Sequence, residues 1–532
     1  MKALGFRQAN SWLHTWSGLL LGWLLYAIFV TGTVSFFRDE ISFWMQPEQH
    51  VSVPDSHTPE RIVQAMQSLA PGASIWSISL PSERNAAVPI QWFEQEQKPT
   101  KGGGHRMVLD AATAQPITTR ETRGGDFLYR FHFELYGMPR IWARWIVGAA
   151  TMLMLVAIVS GVITHKKIFA DFFTFRRRKG QRSWMDAHNA LGVLALPFHF
   201  MITYSGLLLL MTLLMPWGIQ SAYQGDMKAY FSERNGGAAM ATAKPAVSPA
   251  VPSAMAGIGP MLEQSRQRWP NGVAGISITQ PGTSQAVVEL RERGGDSLLN
   301  RGRSERMRFD GVTGVFLDAP AEPQLNTATA VYNVFSSLHL LRFAGPWLRW
   351  LFFISGLIGS AMIATGMVLW VVKRLPQRRK YGGHWGHRLV ECLNVGTIAG
   401  LPLAIGAYFW ANRLLPQQIS GRASWEIYVF FIAWGLCLLH PLVRTHRQAW
   451  IEQLGVIALL FTALPLFSFL YYPDSHLVTS LSAGHYLLAG MDMTLLAFAA
   501  AAMMGIAFLK PPRQAVVPLM PRSKKTAPEV AV

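Results

Sequence analysis

Cysteine is almost absent: Cys392 and Cys437 are the two in 532 residues, and both fall inside apolar runs, so no disulfide framework holds this chain together. No Cys-x-x-Cys-His occurs, which excludes a conventional c-type haem attachment. No Gly-x-Gly-x-x-Gly follows a strand-like run and no Walker sequence is present. The chain therefore offers no nicotinamide, flavin or ATP site of its own and is not an ATP-driven pump. Charge is scarce as well. Charged residues make up 15% of the chain while half of it is hydrophobic, the balance of a polytopic membrane protein with soluble insertions. Acidic residues are the scarcer sign, leaving a formal net charge of +18.

That excess would suit nucleic acid were it not for its placement. Apolar runs of spanning length lie near 12–37, 141–165, 188–215, 347–372, 389–413, 425–443, 452–472 and 485–509, about eight transmembrane helices. Basic clusters fall at alternate ends of these: Lys2 and Arg7, Lys166 with Lys167 and Arg176 to Lys179, Lys373 to Lys380, Arg444 with Arg447, and Lys510 to Lys525. The positive-inside rule makes all of them cytoplasmic, with both termini inside and two long insertions outside. The basicity is topological, and the partner it implies is a lipid bilayer. The first run is too long for a signal-peptide core and no small-residue cleavage site follows it, so it reads as a retained helix. The resulting division is transmembrane helix 1 (1–37), a first extracytoplasmic domain (38–135), helices 2 and 3 with a basic cytoplasmic loop (136–215), a linker and second extracytoplasmic domain (216–340), helix 4 (341–376), helices 5 to 8 (377–510) and a cytoplasmic tail (511–532).

The stretch from Trp184 to Pro216 organises the rest. It carries His188 and His199, eleven residues apart. On one unbroken helix that is three turns and about 16.5 Å, with both imidazoles on one face. Ionisable side chains at membrane depth are uncommon and usually functional. Two histidines so placed are how a spanning helix can ligate two stacked haems; the plainer alternative is a pair of packing histidines bonded to neighbouring carbonyls.

An internal repeat runs through the first two thirds of the chain. Aligning His14 on His188 places Gly18 on Gly192 and Gly32 on Gly206 without a gap. Aligning Trp142–Trp145 on Trp347–Trp350, both Trp-x-Arg-Trp, places Gly161 on Gly366. His132 and His339 precede those runs by ten and eight residues. The expectation is a duplicated core with halves of roughly 1–170 and 184–376. Each half holds its insertion between two helices, and each insertion reads as a helix followed by a strand meander, giving two small α+β domains. The second is preceded by an Ala/Pro/Ser-rich linker.

The early His-x-x-x-Gly of the first helix, the His-bearing segment before the second, and the closing MVLDAATAQPI and MRFDGVTGVFL together resemble PepSY-associated transmembrane proteins. The resemblance covers about residues 5–376 and leaves helices 5 to 8 outside. It implies PepSY-like extracytoplasmic domains in a bacterial inner membrane and, from some members, haem-containing reduction of ferric siderophores.

Neutral imidazole is a suitable axial ligand for haem iron. Six histidines sort by depth: His14, His188 and His165 near cytoplasmic ends, His132 and His339 near outer ends, and His199 deeper. A pseudo-symmetric site pairs His132 with His339 outside and His14 with His188 inside. An asymmetric one draws on His165 and His199, which align with Trp370 and Leu25 and so break the repeat. The expected assignment is two haems b, with His132 and His339 on the acceptor side, His14, His165 and His188 on the donor side, and His199 open between them. Arg144 and Arg349 either pair with haem propionates or snorkel at the interface. The repeated glycines either admit a porphyrin plane or serve helix packing. The function expected is an oxidoreductase carrying electrons from quinol or a cytoplasmic reductase to an extracytoplasmic iron(III) chelate such as a siderophore. The alternatives are a PepSY-type regulator of a protease or peptide without redox activity, and an iron-chelate transporter.

Overall fold

The computed structural model describes residues 5–510 except 96, 98–102, 166–171, 177–178, 235–250, 295, 302–303 and 321–324. The cytoplasmic tail 511–532, Lys2, Lys166 and Lys167, most of the Ala/Pro/Ser-rich linker and part of the glycine hairpin near Lys101 lie outside the described residues.

The chain enters as α1 (Phe6–Leu20) and α2 (Gly22–Val34), which turns into α3 (Arg38–Trp44). These arms are bent by 66° at Leu21. After α4 (Thr58–Leu69), strands β1 (Ala73–Ser79), β2 (Val88–Glu94) and β3 (His105–Leu109) form a meander, and α5 (Gly124–Glu134) leads into the span α6 (Arg140–Thr164). The second passage repeats the plan with α7 (Gln181–Leu194) and α8 (Leu196–Leu209), bent by 68°. The expectation of one straight helix carrying both His188 and His199 fails at this bend. Pro197 in the first turn of α8 supplies one cause, because it donates no hydrogen bond to the preceding turn and crowds it. The bend in the first half has no proline. It falls at Leu21, the residue that the His14-to-His188 alignment sets on Ala195, where the second half breaks.

Beyond α8 come α9 (Met227–Arg234), α10 (Gly259–Arg268), strands β4 (Val273–Thr279), β5 (Val287–Glu292), β6 (Arg306–Asp310) and β7 (Phe316–Asp318), and α11 (Thr327–Leu340). The span α12 (Pro346–Tyr381) follows, then α13 (Trp385–Ile398), α14 (Gly400–Leu414), α15 (Arg422–Leu439), α16 (His446–Tyr471) and α17 (Tyr486–Leu509). Among the described residues six helices are long and apolar enough to cross a membrane, or eight spans if each bent pair counts as one.

The two insertions are not separate domains. Their strands make one seven-stranded antiparallel sheet in the order β3-β2-β1-β4-β5-β6-β7, joined where β1 pairs with β4 and Ile78 faces Ile276. An isolated meander would leave the first strand of each half as an open edge, and pairing the two removes both edges. One face of the sheet buries Trp76, Ile78, Ile276, Ile278 and Leu290 beneath Ile62 and Met66 of α4 and Met261 of α10. The period-2 burial along β1 and β4 is what a sheet covered on one face requires. The meeting of the two halves is therefore a packed seam.

Helices α13 to α17 pack on the first half through an apolar core containing Leu25, Tyr26, Leu401, Tyr408, Phe430 and Leu495. Polar bonds stitch the same contact. Trp23 Nε1 donates to Asn394 Oδ1 at 2.9 Å, Tyr408 OH to the Gly124 carbonyl at 2.9 Å, and Arg120 Nη1 to the Asn412 carbonyl at 2.8 Å. Trp44 Nε1 donates to Asp492 Oδ1 at 3.3 Å. Arg422 and Glu426, both fully buried, form an ion pair, and Thr122 and Asn412 bind the same carboxylate. No constellation of this kind was expected in the last four helices.

Candidate functional site

The bends matter because they divide each long passage into two working parts. The first arm carries a histidine, His14 in α1 or His188 in α7, and the second carries a glycine, Gly32 in α2 or Gly206 in α8. His132 and His339 stand on α5 and α11, separate helices ahead of the spans α6 and α12. These four imidazoles form two facing pairs. His14 and His188 have ring centroids 6.1 Å apart and planes inclined by 62°; His132 and His339 are also 6.1 Å apart, inclined by 36°.

Each ring lies against a glycine of a neighbouring helix. An added Cβ would come within 3.1 Å of the His14 ring at Gly161, 3.0 Å of His188 at Gly366, 2.6 Å of His132 at Gly32 and 3.2 Å of His339 at Gly206. The carbonyl four residues before the glycine then takes the ring's proton. His14 Nδ1 donates to Ala157 O at 2.8 Å, His188 Nδ1 to Met362 O at 2.9 Å and His132 Nδ1 to Ile28 O at 2.7 Å. His339 Nδ1 lies 2.9 Å from Ser205 Oγ, whose own hydroxyl donates to Met201 O, so the imidazole is again the donor; the Ile202 main chain, four residues before Gly206, lies beside it. A carbonyl can only accept, so Nδ1 carries the proton and Nε2 keeps its lone pair. Among the described residues none of the four Nε2 atoms makes a hydrogen bond.

That is the arrangement in which a neutral imidazole ligates a metal, its far nitrogen oriented by a backbone acceptor. The 6.1 Å between ring centroids in each pair is close to the roughly 6 Å spanned by two metal–imidazole bonds of about 2.0–2.1 Å each with two ring half-widths. Among the described residues no three His, Cys, Asp or Glu side chains gather to hold a bare ion. A site with two protein ligands suits an ion whose other ligands arrive with it.

The His132–His339 pair opens on a cavity of about 360 Å³ whose lining includes His132, His339, Gly32, Gly206, Arg144 and Arg342. Arg144 reaches Glu134 and also packs over Phe133 at 5.6 Å. Arg349, the other arginine singled out in the repeat, does not line this cavity: Glu40 takes its guanidinium. His165 ends α6, and its Nε2 accepts from Asn189 Nδ2 at 2.8 Å. Of the histidines expected on the donor side, His14 and His188 face each other, whereas His165 bonds Asn189. His199 is fully buried beside Phe29 and against Gly359. Neither of its ring nitrogens makes a hydrogen bond of normal geometry, although the Gly192 main chain is near.

Sequence reading missed Glu134, Glu40, Ser205 and Arg342. Glu40 and Ser205 meet Arg349 and His339, far along the chain, and no local spacing announces them. The glycines did carry a signal, since Gly32, Gly161 and Gly366 each have the acceptor carbonyl one helical turn earlier. The model of the PepSY-associated TM region matches residues 11–373, more than half of the chain. No curated protein matches it. Both bends, the whole sheet and all four facing histidines lie inside that match, and the chain belongs to the PepSY-associated TM region family.

Proposed function

We propose that the chain is an oxidoreductase of a bacterial inner membrane that holds two haems b and passes electrons to an extracytoplasmic iron(III) chelate. One observation carries the reading: two imidazole pairs, each 6.1 Å across, with every Nδ1 hydrogen-bonded or protonated toward a helix and every Nε2 left for a ligand bond. His132 and His339 are the ligands of the outer group, and His14 and His188 those of the inner one. Bound haem would supply the reversible one-electron step. The protein's residues fix the imidazole tautomers through Ala157, Met362, Ile28 and Ser205, and their glycines let the rings approach neighbouring backbones. Arg144, in the lining of the His132–His339 cavity, would meet an acidic substituent there.

Quinol or a cytoplasmic reductase is the donor, and reduction to iron(II) weakens the hold of hard oxygen ligands on the metal. The two halves are best read as a duplication, because the bends recur at aligned positions, and so do His14 with His188 and the acceptor carbonyls of Ala157 and Met362. The test is an absorption spectrum of detergent-purified protein, oxidised and dithionite-reduced, with a pyridine haemochrome count. Sharp reduced α-bands and two haems per chain are expected. His339→Ala and His188→Ala should each remove one. A colourless protein from haem-replete cells would overturn the reading.

A further inference from the structure

A second cavity, of about 280 Å³, shares Arg301, Leu340 and Arg342 with the histidine-lined one. Its walls are of another kind: Arg234, Arg301 and Arg342, with Asn300, Thr329 and Asn333. No carboxylate is among its described lining residues. The Arg234 and Arg301 guanidiniums both pack on the Tyr332 ring, at 5.0 and 5.1 Å from its centroid. Arg234 also lies 4.6 Å from the Phe231 ring centroid. Aromatic packing thus holds cations of like sign together at one spot. Among the described residues neither Arg234 nor Arg342 forms an ion pair with a carboxylate. Asn333 is fixed by donating to the Leu299 carbonyl at 2.6 Å, and Thr329 by the Asn326 cap of α11. A cavity whose lining holds Arg234 and Arg342, neither ion-paired among the described residues, with Arg301 beside them, attracts anions, and guanidinium forks match carboxylate geometry.

We propose that this pocket binds carboxylate groups of the electron acceptor, which is therefore an iron(III) chelate of net negative charge seated beside the His132–His339 cavity. The proposal rests on the electron-transfer reading above. Each iron(III) takes one electron and becomes iron(II). A quinol donor, releasing two electrons and two protons, serves two such chelates. Carboxylate could also come from the substituents of a haem in the first cavity, but Arg234, Asn300, Thr329 and Asn333 line the second cavity alone.

The experiment uses the full chain in detergent and a redox-inert probe, gallium(III) citrate, with neutral gallium(III) tris(maltolate) as comparison, read by calorimetry. Citrate complex should bind, more weakly as salt rises, and the maltolate complex should not. Arg234→Gln and Arg342→Gln should each weaken binding about tenfold or more, the loss of a charged hydrogen bond. Arg234→Lys should recover part of it, and the haem content and elution profile of the Arg234 variants should stay as in the parent. Equal binding of citrate complex by parent and variants would overturn the proposal. So would loss of haem from Arg234→Gln with citrate binding intact, which would assign the arginine to haem carboxylates. Gallium separates the two readings: a colourless protein that binds it through these arginines would sink electron transfer and support the pocket.

Discussion

Gly32 leaves His132 the least room of any glycine facing these rings. An alanine there would put its methyl 2.6 Å from two ring atoms, whereas at Gly206 the nearest ring atom would be 3.2 Å away. Gly32→Ala must push the imidazole off the Ile28 carbonyl. It is expected to cost about 1–3 kcal/mol of stability and to lower the haem count by one. Gly206→Ala should do less on both measurements, and equal effects would dissolve the link between ring contact and ligand position. In the sheet, Asp310 Oδ1 accepts hydrogen bonds from Thr313 N at 2.7 Å and Thr313 Oγ1 at 2.9 Å, and Asp110 holds Thr113 in the same way. The Thr313 main-chain bond, over the opposing effect of burial, holds the Asp310 carboxyl below its ordinary value. A carboxylate with a depressed pKa stabilises the fold above the ordinary value near 3.8, and that stability disappears as pH falls through the depressed one. Tryptophan-monitored unfolding between pH 2 and 6 should show it as a loss beginning near pH 4, and Asp310→Asn should flatten that part of the curve. Position 314 in the same turn has φ of +76°, so Gly314→Ala is expected to cost about 1–2 kcal/mol.

At the scale of elements the bent passages and the joined sheet each bear a prediction. The 66° bend at Leu21 forms without proline, so the matching bend at Ala195 should not need Pro197, although the proline favours it. Pro197→Ala should keep the haem count and change stability by no more than about 0.5–1 kcal/mol. A lost inner haem in that variant would show that proline sets the angle. The β1–β4 seam makes the two meanders one folding unit. Ile78→Ala, emptying a fully packed position opposite Ile276, should cost about 2–5 kcal/mol. Trp76 in the first half and Trp269 in the second should then report one shifted transition, where independent domains would show only the first to move.

The whole molecule is held as one by the docking of α13–α17 on the amino-terminal half. The buried Arg422–Glu426 pair lies at that junction, with Thr122 of the first half on the same carboxylate. Removing one partner of a buried pair strands the other, so Glu426→Ala is expected to cost about 3–5 kcal/mol in thermal unfolding. It should also expose the contact to proteolysis. Stability within about 1 kcal/mol of the parent would mean that the apolar contacts alone join the two parts.

Much of this was written in local pattern. Spanning length follows from consecutive apolar residues and needs only neighbours along the chain. The family was legible in the same way, from the residues around His14 and the closing turns at Asp110 and Asp310. Pairing was not. A straight helix through His188 and His199 is what periodicity alone implies, and the bend at Ala195 separates them because each arm packs on different neighbours. His14 meets His188, and His132 meets His339, across 174 and 207 residues, a choice made by helices closing on glycines. The joined sheet, the Arg349–Glu40 pair and the Arg422–Glu426 junction belong to the same class. Sequence determined what each segment could be in a bilayer; the tertiary structure decided which side chains face one another, because contacts between distant segments have no period along the chain.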